Sequence, residues 1–80
     1  MATPTTAVEE AIGPRTEGAY YGNTTGMYEV IAVHRGLEAQ LLLGKGAAWA
    51  VTTRHLATER IETHRQPWTT TDRLVRRGRP

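Results

Sequence analysis

Apolar residues at strand spacing concentrate in residues 27–56, in three runs at 27–34, 37–43 and 47–55. Arg35-Gly36 separates the first two and Gly44-Lys45-Gly46 the second two. In the middle run Leu37, Ala39, Leu41 and Leu43 alternate with Glu38, Gln40 and Leu42, the period-two pattern of a half-buried strand. In the third run Ala47, Trp49 and Val51 share a face, with Ala48, Ala50, Thr52 and Arg54 opposite. A three-residue loop at Gly44-Lys45-Gly46 pairs Leu43 with Ala47, Leu41 with Trp49 and Ala39 with Val51. The pattern therefore predicts a hairpin that is apolar at every pair on one face.

The first junction allows two registers. A two-residue turn at Arg35-Gly36 pairs His34 with Leu37 and Val30 with Leu41, and requires positive φ at Arg35. A type I turn with Gly36 as a bulge pairs Val33 with Leu37 and Ile31 with Ala39. In either register residues 27–34 are apolar on both faces, which predicts a central or barrel-closing strand.

The flanks read less regularly. Residues 1–5 carry no element, and Thr6-Ala7-Val8-Glu9 has the form of a capping box. It opens a short helix in which Val8, Ala11 and Ile12 share a face and Gly13-Pro14 stops the chain. A strand at 19–21 precedes the turn Asn23-Thr24-Thr25-Gly26. Residues 60–64 alternate as a strand after a turn at 56–58. The alternative there is a helix with Leu56, Ala57, Arg60, Ile61 and His64 on one side. Thr69-Thr70-Thr71 offers a cap for a helix over 72–77, acidic first and basic last as the helix dipole favours, or else the segment is a flexible tail.

The predicted fold is mainly β: a small antiparallel sheet or SH3-like barrel of four to five strands, with short helical turns at the N- and C-termini. The SH3 likeness is architectural and carries no function. The organisation is an N-terminal tail with a short helix at 1–17, a β-rich core at 18–66 and a basic segment at 67–80.

Composition narrows the chemistry. Eighty residues make one domain, and a chain of that size buries only about 60% of its unfolded surface. Cysteine and serine are absent, which removes disulfides, thiolate metal sites and the common acyl-transfer nucleophiles. The N-terminus lacks the pattern of a signal peptide, and the apolar runs fall far short of a membrane span. A cytoplasmic protein with no membrane partner is expected. His34, His55 and His64 lack zinc-signature spacing, so no metal is expected. No carboxylate pair is placed for acid–base work, and Gly44-Lys45-Gly46 lacks the spacing of a phosphate loop. No cofactor and no catalytic residue is expected.

The net charge of +2 is unevenly placed. Residues 1–40 carry two arginines against five glutamates, and residues 41–80 carry Lys45 and seven arginines against three acids. Such asymmetry suits a polyanion partner, while the excess of Arg over Lys also fits GC-rich coding. The candidate nucleic-acid-binding residues are Lys45 at a loop tip, Arg54, Arg60 and Arg65 on the sheet's outer side or edge, and Arg73, Arg76, Arg77 and Arg79 at the C-terminus. Trp68 is either a stacking ring or a barrel plug, and Trp49 belongs to the core opposite Leu41. The expectation is a small non-enzymatic protein that binds nucleic acid, DNA foremost and RNA as the variant, of the kind that serves a phage or plasmid as a regulator. The alternative is a protein-interaction or homo-oligomeric accessory subunit, a homodimer among the forms, that uses Tyr20, Tyr21 and Tyr28 and binds no nucleic acid.

Overall fold

The centre of the sheet is β2, Gly26–Arg35. The structure, a computed structural model, describes residues 7–78, with side chains from residue 10 onward. The capping role read for Thr6 and Glu9, the docking of Val8 and the position of Arg79 fall outside the described residues. In chain order the elements are α1 (Ala7–Ile12), β1 (Tyr20–Asn23), β2, α2 (Leu37–Leu43), β3 (Trp49–His55), β4 (Ile61–His64) and β5 (Arg73–Arg76). The strands form one antiparallel sheet in the order β4-β3-β2-β1-β5. The mainly β expectation holds, as do the central place of residues 27–34, the turn at 56–58 and the strand that follows it. The sheet is open, so the barrel alternative is corrected: β4 and β5 are its two edges and do not pair.

The largest correction concerns residues 37–43, which are helix α2 and not a strand. Leu, Glu, Ala and Gln are all strong helix formers, and the run contains no β-branched residue. Glycine brackets it. Gly36 adopts φ +60, which reverses the chain out of β2, and the Gly44 N–H closes the last turn on the Gln40 carbonyl at 2.8 Å. With the middle run removed from the sheet, β2 pairs with β3 and neither predicted hairpin forms. His34 faces Ala50, Val33 faces Val51 and Arg35 faces Trp49. Leu41 does not meet Trp49; it is 79% exposed.

A bulge explains why β2 read as apolar on both sides. Val30 pairs with Thr53 and Ala32 with Thr52, leaving Ile31 as the extra residue. The inward phase therefore switches from Tyr28 and Val30 to Val33. On this inner face Tyr21, Val30, Trp49 and Val51 pack with Ile12 and Ala19 as the main core, and Tyr28 and Val33 lie against it. Full burial of each valine contributes roughly 1.5–3 kcal/mol. On the outer face α2 covers one end, with Ala39 and Leu43 against Ala47 and Ala50.

The C-terminal segment is also corrected. Residues 73–76 are strand β5, paired with β1, and not part of a helix over 72–77. Tyr21, Gly22 and Tyr20 of β1 face Leu74, Arg73 and Arg76, with a shift between Tyr20 and Tyr21. Pairing with an open sheet edge overrides the weak local helix pattern.

Candidate nucleic-acid interface

What orders β5 is a polar knot just before it. Asp72 and Arg15 are both buried, and Arg15 Nη2 donates to Asp72 Oδ2 at 3.1 Å. The same nitrogen donates to the Pro67 carbonyl at 2.9 Å, and Nη1 donates to the Gln66 carbonyl at 2.8 Å. Asp72 also accepts from Asn23 Nδ2 at 3.0 Å and from the Thr69 N–H at 3.2 Å. The Arg15 guanidinium lies 5.7 Å from the Tyr21 ring centroid. One buried pair thus ties the α1–β1 loop, the tip of the β1–β2 hairpin and the segment before β5 together. Burial raises the Asp72 pKa, but the hydrogen bonds from Asn23 and Thr69 and the Arg15 charge outweigh it and hold the carboxyl below its ordinary value.

Sequence reasoning missed this pair. Two signals were available. Asp72 is the only aspartate, and Arg15 is the only cation among the first 34 residues. Neither indicates the other, because only the fold brings them together.

Beyond the knot, one row of paired residues crosses the outer face of all five strands: Arg76, Tyr20, Glu29, Arg54 and Ile61. The Arg76 guanidinium lies 5.8 Å from the Tyr20 ring centroid, and Arg54 holds Glu29 Oε1 through Nη2 at 2.6 Å and Nε at 3.1 Å. Arg73 pairs with Gly22, so it belongs to the same outer face one row along. Tyr20, Glu29, Arg76 and Arg77 line a depression of about 360 Å3 there with Gly18 and Gly78. The β1–β5 edge therefore brings Arg76 and Arg77 to a half-buried tyrosine, with Arg73 further along the same strand opposite Gly22, and the nearby carboxylate is already neutralised by Arg54.

The other sequence candidates lie elsewhere. Lys45 is exposed in the α2–β3 connection. Arg60 and Arg65 flank β4 at the opposite edge of the sheet, and Arg60 Nε pairs with Glu62 at 2.8 Å. Trp68 does not plug a barrel. Its ring lies over Gly13, its Nε1–H donates to the Glu10 carbonyl at 3.0 Å, and it remains 41% exposed. Tyr20 lies in the strand expected at 19–21, and its place beside Arg76 depends on the unpredicted strand β5.

The inner face carries a second concavity, about 390 Å3, lined by Arg15, Tyr21, Asn23, Tyr28, Thr53 and His64 among others. Its groups largely satisfy one another. Tyr28 stacks on Tyr21 with centroids 5.2 Å apart and meets the His55 ring edge-on at 4.9 Å, and its hydroxyl lies 2.5 Å from Thr25 Oγ1. His64 Nδ1 is 3.5 Å from Arg15 Nη1. Burial, and then the Arg15 charge, lower the His64 pKa. His34 contacts Glu38, and its Nε2 lies 3.0 Å from Thr52 Oγ1. Among the described residues no group of three or more His, Asp or Glu side chains is arranged to hold a metal ion. No described helix is long and apolar enough to cross a membrane.

Comparison with protein-family models, with curated proteins and with solved structures finds no match.

Proposed function

We propose that this protein is a small non-enzymatic binding module that engages a nucleic-acid strand through the outer face of its β1–β5 edge. The observation that carries the reading is the cluster of Arg73, Arg76 and Arg77 with Tyr20, on a strand ordered by the buried Arg15–Asp72 pair. Arginines fixed on a strand meet phosphates with less side-chain and backbone ordering than a free tail requires. Tyr20 supplies a ring on which a base can stack, and Arg76 over that ring adds a cation at the stacking position. An open sheet face with an aromatic ring and flanking guanidinium groups favours a single strand, whose bases are free to stack, over a duplex.

The test is fluorescence anisotropy of a labelled single-stranded oligonucleotide, repeated across salt. Three phosphate contacts give a slope of log affinity against log salt of roughly −2, at about −0.7 per contact for single strands. Changing Arg73, Arg76 and Arg77 together to Ala should abolish that slope along with the binding. Absence of a complex with any single strand or duplex at micromolar protein in low salt contradicts the reading.

A further inference from the structure

We infer that Glu29 reads the base that stacks on Tyr20 and selects guanine, an assignment that rests on the strand binding proposed for this edge. Tyr20 of β1 and Glu29 of β2 are direct cross-strand partners on the outer face, so their side chains stand next to each other. Both line the depression of about 360 Å3 whose other walls are Arg76 and Arg77. Gly18 and Gly78 border it and add no side chain to fill it.

Glu29 differs from a loose surface acid because it is held in place. Arg54 donates to Oε1 twice, from Nη2 at 2.6 Å and from Nε at 3.1 Å. That fork fixes the direction of the carboxylate and occupies one of its oxygens. The other, Oε2, accepts no hydrogen bond from the described residues, and the side chain is 28% exposed. An acceptor is therefore left for a ligand at a fixed position on one side of the depression, with guanidinium donors on the other.

The bases meet that arrangement differently. Guanine carries two adjacent donors, N1–H and the N2 amino group, next to its O6 acceptor. The donors suit Glu29 Oε2, and O6 suits an arginine, whose five N–H groups can serve O6 and a phosphate together. Adenine and cytosine set a ring-nitrogen acceptor beside their amino group, and that lone pair would face the carboxylate. Thymine and uracil offer one N–H between two carbonyl oxygens. An acceptor pressed against a carboxylate leaves both without a donor, which costs more than the matched contact gains.

The test is fluorescence anisotropy of the full chain at low salt with short thymine strands that carry one central guanine, inosine, adenine or cytosine. The guanine strand is expected to bind at least about tenfold tighter than the adenine, cytosine and all-thymine strands, the scale of one well-paired base contact. Inosine keeps N1–H and O6 and lacks only the N2 amino group. It should lose much of the advantage, and it reads the contact on the unaltered protein. In Glu29→Gln the side-chain carbonyl stays with Arg54 and an amide donor faces the base, so the guanine advantage should vanish. The slope against salt, set by phosphate contacts, should not change. Equal binding of all strands, with the salt dependence of phosphate contacts, overturns the guanine assignment and leaves strand binding standing. A guanine preference that survives Glu29→Gln, or that inosine shares in full, also overturns it. No binding by any strand overturns both.

Discussion

Arg15 and Asp72 stand 57 positions apart in the chain and meet inside the protein at 3.1 Å, with side chains only 5% and 1% exposed. Removing one partner leaves the other charge buried and unpaired. Asp72→Ala is therefore expected to cost about 3–5 kcal/mol, much of the stability of a small domain. Urea titration measures it. The Arg15→Ala/Asp72→Ala double variant should be destabilised by clearly less than the sum of its singles. Additive losses would show that the two side chains act separately.

The same knot sets the acid response. Asp72 titrates below its ordinary range when folded, so its contribution is present above the unfolded value of about 3.9 and is lost as pH falls through the lower folded value. His64 is also depressed, first by burial and then by Arg15, so its protonation favours the unfolded chain as pH drops below about 6.5. Stability should decline with acid in two limbs. His64→Gln should flatten the upper limb and Asp72→Asn the lower. Identical pH profiles for wild type and both variants would contradict the assignment.

Gly13 is held in a left-handed conformation, φ +55, directly under the Trp68 indole. A Cβ there would stand 2.2 Å from the ring. Gly13→Ala should displace Trp68, shift its fluorescence toward that of a solvated indole, and cost about 1–3 kcal/mol from strain and overpacking. An unchanged emission spectrum and midpoint would place Trp68 elsewhere.

Leu41 and Val51 separate the observed packing from the strand register read in the sequence. At dilute protein Leu41→Ala should change stability by no more than about 0.5 kcal/mol, as at most exposed positions. Val51→Ala, in the fully buried core, should cost about 1–3 kcal/mol. A large loss at Leu41 would instead favour the Leu41–Trp49 hairpin.

These contrasts mark how far the sequence could be read. The strand expected at 60–64 and observed at Ile61–His64 was legible only from the alternation of Ile61 and Thr63 with Arg60, Glu62 and His64, and the same residues also allowed a helix. The strand expected at 19–21 was legible because turn residues follow it, but it runs over Tyr20–Asn23, and Asn23 pairs with Gly26 so that only Thr24 and Thr25 lie outside the strands. Residues 37–43 misled because Leu37, Ala39, Leu41 and Leu43 satisfy period two while the same residue types favour a helix. Periodicity in seven residues does not separate the two, and the glycines at both ends fit a loop as well as a helix boundary. The bulge at Ile31 blurred the faces of β2, since one extra residue inverts the alternation without altering composition. Of the candidate site, the basic character of residues 73–77 was legible. Its arrangement beside Tyr20 was not, because it depends on β5 joining β1, and the Arg15–Asp72 contact that orders the chain ahead of β5 spans most of the sequence.

The most direct measurement is a two-dimensional amide NMR titration of the labelled protein with a short single-stranded oligonucleotide at low salt. Binding at the β1–β5 edge should move the resonances of Tyr20, Gly22 and residues 73–77 in a saturable way, with those of α2 and β4 nearly still. An unperturbed spectrum, or shifts confined to Lys45, Arg60 and Arg65 at the other ends of the sheet, would contradict the assignment of nucleic-acid binding to this edge.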